Sequence, residues 1–210
     1  MLNFACPGYT LPQVFDTAIE DLRPYDADVY LLEVSERTLF RQWDAQLIQL
    51  VQRGIDPKYD FLRKLLQQAN VSRSDSRVDL HTKLAPYRIA ILRGMLQALN
   101  AKVARRHATL VLLLFPAVEP GDLSARRIHS GEGAYEGLNI PVIDLTDSFD
   151  RTSNRQPYLA APDDPSNLDV HPNGRGFALI LDDLYRKLQA QQDSMVAMTG
   201  GDPGGVPISK

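Results

Sequence analysis

The chain has 210 residues, a net charge of -3, 44% apolar residues and 23% charged ones. This is enough chain for one α/β domain with its own core, and the mildly acidic balance argues against nucleic acid as the main partner. A single cysteine, Cys6, excludes an internal disulfide.

Taken in order, Leu2 to Ala5 reads as a short strand ending in the sharp turn Cys6-Pro7-Gly8-Tyr9. Thr10 and Gln13 form a capping box that opens a helix with Val14, Phe15, Ala18 and Leu22 on one face, closed by Pro24. A strand, a Gly turn and a helix N-terminus make a place where backbone N–H groups meet an anion, or a plain strand-to-helix turn. The start MLNFACPGY lacks the charged segment and long apolar run of a signal peptide. The compartment therefore reads as cytoplasmic, or as periplasmic or membrane-anchored if an N-terminal segment is missing.

Ala27 to Val34 is a near-continuous apolar run, which predicts a parallel strand buried on both faces. Ser35-Glu36-Arg37-Thr38 follows, and two readings of it stand: Glu36 and Arg37 form an ion pair, or Arg37 serves as an oxyanion donor. Residues 40–78 predict two helices, one around Leu47, Leu50 and Val51, the other around Phe61, Leu62, Leu65 and Leu66. They form a lid over the substrate or surface padding. His81 has no partner within reach of the sequence and reads as structural or exposed. A long helix is expected from Pro86 to Arg106, with Ile89, Leu92, Leu96, Leu99 and Val103 inward. Lys102, Arg105, Arg106 and His107 suit the negative end of its dipole.

Thr109 to Phe115, TLVLLLF, predicts a further strand, too short to span a bilayer. Another strand is expected at Ile140 to Leu145, and a polar loop from Arg151 to Asn167. Residues 191–210 read as a disordered tail behind one domain at 1–190.

Between Asn167 and Leu188 lies the stretch that carries chemistry. Asp169 precedes His171 by two residues, and residues i and i+2 of an extended segment point the same way. Pro172, Asn173 and Gly174 break the chain, with Asn173 as N-cap and Gly174 easing the turn into an amphipathic helix. That helix places Phe177, Ile180, Leu181, Leu184 and Leu188 on one side, and Asp182, Asp183, Arg186 and Lys187 on the other. An imidazole held at such a turn is fixed yet reachable, and a carboxylate on one ring nitrogen fixes its tautomer. The plainer alternative is a capping loop with an exposed histidine and an unrelated acid.

The whole string D-x-H-P-N-x-x-G plus helix resembles the last block of the SGNH (GDSL-type) hydrolase superfamily, which supplies the His and Asp of a Ser-His-Asp triad. The commoner D-x-x-H spacing would put the acid at Leu168. By the same resemblance LNFACPGYTLPQ corresponds to the second block, with Gly8 donating a backbone N–H to the oxyanion hole. The third block, G-x-N-D, departs: Ser35, Arg37 and Thr38 stand for Gly, Asn and Asp. Gly121-Asp122-Leu123-Ser124 transposes the Leu and Ser of GDSL and follows a late strand, so it reads as a decoy.

The resemblance implies a three-layer α/β/α sandwich with a parallel flavodoxin-like sheet of order 2-1-3-4-5. On that mapping the first strand and the serine block are missing. The chain then reads as the later part of a longer protein, because an unfilled gap would bury unpaired backbone groups. The implied function is ester hydrolysis or acyl transfer on an acylated small molecule or carbohydrate, by an esterase, deacetylase or O-acyltransferase. His171 is the base, Asp169 its orienter, and Gly8 and Arg37 the oxyanion donors. No metal or organic cofactor is implied, and the chain alone is expected to be inactive. The alternative is a non-catalytic SGNH-like binding or interaction domain. A nucleotide-binding domain is disfavoured because no G-x-G-x-x-G follows a strand.

Overall fold

The computed structural model describes residues 11–20, 27–36, 39–40, 42–116, 123–150, 152, 154–160 and 171–199. The elements in chain order are α1 (Leu11–Glu20), β1 (Val29–Val34), α2 (Ala45–Arg53), α3 (Asp60–Gln68), α4 (Arg77–Leu84), α5 (Arg88–Ala104), β2 (Thr109–Leu114), α6 (Leu123–His129), β3 (Val142–Asp144) and α7 (Gly174–Thr199). The chain is of mixed α/β type. Its strands form a small parallel sheet of order β1-β2-β3 among the described residues. Leu32 pairs with Leu112 and Val34 with Leu114, and Leu113 pairs with Ile143. Parallel neighbours cannot be joined by a tight turn. Helices α2 to α5 lie between β1 and β2 in sequence, and α6 between β2 and β3.

Alternation along β2 divides the core. Leu110, Leu112 and Leu114 enter a large cluster with Phe15 of α1, Leu47 of α2, Leu62 of α3, Leu80 and Leu84 of α4, and Leu92, Met95 and Leu96 of α5. Val111, Leu113 and Phe115 enter a smaller cluster with Ile143, Leu145, Phe149 and Ile180. The long apolar run of β2 thus fits one buried face and a second, partly buried one. The run of β1 does not. Leu32 and Val34 are buried, but Val29 and Leu31 on the other face are 51% and 54% exposed. The expectation of a strand covered on both faces is therefore corrected. Val111, paired with Leu31, belongs to the smaller cluster, which contains α7 residues but neither Val29 nor Leu31.

Residues 40–78 are corrected too. They are not padding: Trp43, Leu47, Ile48, Leu62 and Leu66 are core residues. The two expected helices are present as α2 and α3. A third, α4, was not anticipated. Its start is nevertheless written in the sequence: Ser76 accepts from the Asp79 backbone N–H at 3.1 Å, a regular N-cap. Helix α7 runs to Thr199, past the expected boundary at 190. Its Gln and Ala residues favour continuation over a break. No helix among the described residues is long and apolar enough to cross a membrane.

Gly94 sits mid-helix in α5, where glycine costs about 1 kcal/mol relative to alanine. A Cβ there would meet the Phe61 ring at 2.5 and 2.6 Å. Overpacking of this kind costs about 1–3 kcal/mol, so it outweighs the gain in propensity. Gly94→Ala is expected to lower stability by about 1 kcal/mol in urea unfolding. A rise in stability would show that the ring swings clear.

Candidate functional site

One side chain ties the start of α7 to residues 157–159. Asn173 Oδ1 accepts from the backbone N–H groups of Arg175 and Gly176, at 2.9 and 3.1 Å. Its Nδ2 donates to the carbonyls of Pro157 and Leu159, at 2.9 and 2.7 Å. The expected N-cap is therefore present, and it also staples the helix start to the preceding loop. Backbone bonds complete the staple: Ala160 N–H donates to His171 O and Asn173 N–H to Tyr158 O, both at 2.8 Å. Leu159 and Pro172 form an isolated antiparallel bridge.

The glycine that this packing requires is Gly176, not Gly174. A Cβ on Gly176 would lie 2.7 Å from Pro172 Cβ and 2.9 Å from Tyr158 O, whereas one on Gly174 would meet nothing within 4 Å. The role expected for Gly174 is corrected on that ground. The signal was available, since Gly176 is the glycine of P-N-x-x-G.

His171 follows from this geometry. It sits two residues before the cap, with its backbone bonded and its side chain exposed. Of the residues that the resemblance singles out, Asp169, Gly8 and Arg37 lie outside the described residues. Ser124 falls within α6. Glu36 is buried and accepts from Arg127 of α6 at 2.7 Å. This long-range pair was not legible in the Ser35–Thr38 segment alone.

Below His171, α7 is held as much by polar contacts as by apolar ones. Ile180 is buried, and Phe177 meets Phe115 ring to ring at 6.0 Å. Phe177, Leu181, Tyr185 and Leu188 are nonetheless exposed, and Asp183 is buried. The expected division of the helix into an apolar inner face and a charged outer one is therefore corrected. Asp183 accepts from Ser148 Oγ at 2.8 Å and pairs with Arg186 at 2.7 Å and Lys187 at 3.2 Å. Lys187 also reaches Asp147 at 2.5 Å. A buried carboxylate is tolerated only with such partners.

Two further histidines have carboxylate partners. His129 stands between Glu132, 2.8 Å from Nδ1, and Asp144, 3.3 Å from Nε2, so both ring nitrogens are engaged. Nearby Tyr135 is pushed up to about 12 by burial and by the charges of Glu132 and Asp144. His81, expected to lack a partner, has one 37 residues upstream: its Nδ1 lies 2.6 Å from Asp44 Oδ2. No group of three or more His, Cys, Asp or Glu among the described residues is arranged to hold a metal ion. No protein-family model matches the chain, and no curated protein matches it in sequence.

Burial alone would raise the pKa of Asp183, but the Ser148 hydrogen bond and the charges of Lys187 and Arg186 hold it below its ordinary value. The stabilisation this implies is complete above the unfolded value of about 3.9. It is lost as pH falls through the lower folded value. Asp183→Ala is expected to cost about 3 kcal/mol at neutral pH. The difference from wild type should shrink in acid unfolding curves below about pH 4.

Proposed function

We propose that the chain is an SGNH-type hydrolase domain acting on ester bonds, as an esterase, a deacetylase or a carbohydrate O-acyltransferase. The observation that carries this reading is the His171-Pro172-Asn173 turn. An exposed histidine is presented directly ahead of a helix by an asparagine that caps the helix and staples the preceding loop. The parallel sheet agrees with it. In finer detail the reading takes the fold as a three-layer α/β/α sandwich with a flavodoxin-like sheet.

In this reading His171 takes the proton of a serine nucleophile and returns it to the leaving alkoxide. Asp169 bonds the other ring nitrogen and stabilises the imidazolium. The Gly8 backbone N–H and the Arg37 guanidinium face the developing oxyanion. The reading assigns no residue of the chain as the serine, and it expects no His171-dependent hydrolysis from the chain alone.

A second reading, a non-catalytic binding domain, draws on a different observation. Phe177, Leu181, Tyr185 and Leu188 form an exposed stripe at spacings of four, four and three residues on α7. Exposed apolar patches of this kind mark interaction surfaces.

The triad reading is tested without relying on turnover. If Asp169 bonds His171, the shared ring N–H is held out of exchange with solvent and gives a downfield proton NMR resonance that is lost in both Asp169→Ala and His171→Ala. A spectrum in which neither variant removes such a resonance would dismiss the pair and leave the binding-domain reading.

A further inference from the structure

We propose that Asp44 and His81 form a carboxylate–imidazole dyad that acts as a general base in the hydrolysis of small esters by water. The inference does not depend on the triad reading and uses none of its residues.

The starting point is a carboxylate in an unusual position. Asp44 is the residue at the N-cap of α2, where an aspartate normally accepts from the first-turn N–H groups and contributes about 1 kcal/mol. It makes no side-chain cap bond. Its carboxylate is only 6% exposed and lies 2.6 Å from His81 Nδ1. A buried carboxylate without compensation is costly. Here the compensation comes from one imidazole.

His81 faces the other way. Its side chain is 53% exposed, and among the described residues nothing is bonded to Nε2. A carboxylate at Nδ1 places the proton there in the neutral ring and leaves the Nε2 lone pair facing outward. His129, by contrast, has a carboxylate on each nitrogen and no such lone pair to offer.

The dyad is also rigidly mounted. Trp43, next to Asp44, is buried, and its ring centroid lies 6.4 Å from that of His81. Leu80 and Leu84, which flank His81 on α4, are completely buried. Ser76 caps the helix three residues before Asp79. Both members of the pair therefore sit on elements fixed by the core, the condition for a preorganised site.

The chemistry balances with water as the nucleophile. Nε2 accepts a proton from water as the water oxygen bonds to the acyl carbonyl carbon. The tetrahedral intermediate collapses by breaking the bond to the alkoxy oxygen. The imidazolium returns its proton to that oxygen, giving an alcohol and a carboxylic acid. Asp44 remains ionised and offsets the imidazolium charge. An open imidazole suits small, soluble O-acyl esters with good leaving groups.

The test is hydrolysis of 4-nitrophenyl acetate by the full chain from pH 5 to 9, compared with free imidazole at the same concentration. Wild type is expected to exceed free imidazole by about tenfold or more, and His81→Gln to remove that excess, a loss of about tenfold or more. Glutamine can still donate to Asp44, so the fold is retained. His81→Ala should recover rate when imidazole is added back, a rescue that a purely structural tie would not give. Asp44→Asn should lower the rate. Full activity in His81→Gln, or a wild-type rate equal to free imidazole, would overturn the proposal. Loss in His171→Ala alone would overturn it as well, and would point to a nucleophile working with His171.

Discussion

Among the described residues, both strand pairings run through β2, and both apolar clusters take residues from it. Its carbonyls and N–H groups pair with β1 on one side and β3 on the other. Its even-numbered leucines pack under the helices α1 to α5, and its odd-numbered residues pack against the segment that leads to α7. A strand with two paired edges, one buried face and one partly buried face tolerates a shift of register poorly, because a one-residue slip exchanges the two faces. The position of His171 depends on it at one remove: Phe115, just after the strand, meets Phe177 in the first turns of α7.

The sequence was most legible where one force dominates. TLVLLLF can only be a buried segment, and its length and β-branched or leucine content make it a strand. The leucine spacing of α5 and the cap at Asn173 were equally plain, because helix periodicity and capping are local. Legibility failed where a partner is distant. Nothing near Val29 and Leu31 in the sequence says that one face of β1 would lie open. Asp183 reads as a surface charge until Ser148, 35 residues earlier, is placed beside it. The Asp44–His81 pair joins residues 37 apart and was invisible for the same reason. Of the residues expected in the triad, His171 is the one whose setting is now defined.

The two hydrolytic proposals make different demands on the molecule. The His171 reading needs a precisely placed serine and an oxyanion hole, and so depends on several segments meeting. The Asp44–His81 dyad needs only two helices, a buried carboxylate and water. The first arrangement supports large rate enhancements and selectivity. The second supports modest, unselective turnover, because an open imidazole neither excludes water nor orients the ester.

The long connection between β1 and β2 has a kinetic consequence. Leu32 and its partner Leu112 are 80 positions apart (112 − 32), whereas Leu112 and Val142 are 30 apart (142 − 112). Closing the larger loop costs more chain entropy, and parallel pairing repays none of it until the strands meet. Chain entropy by itself therefore favours β2–β3 pairing ahead of the docking of β1. A β2 edge without β1 offers unpaired backbone groups to another chain, so this connectivity leaves refolding at high protein concentration more open to aggregation than a sheet of near neighbours would be.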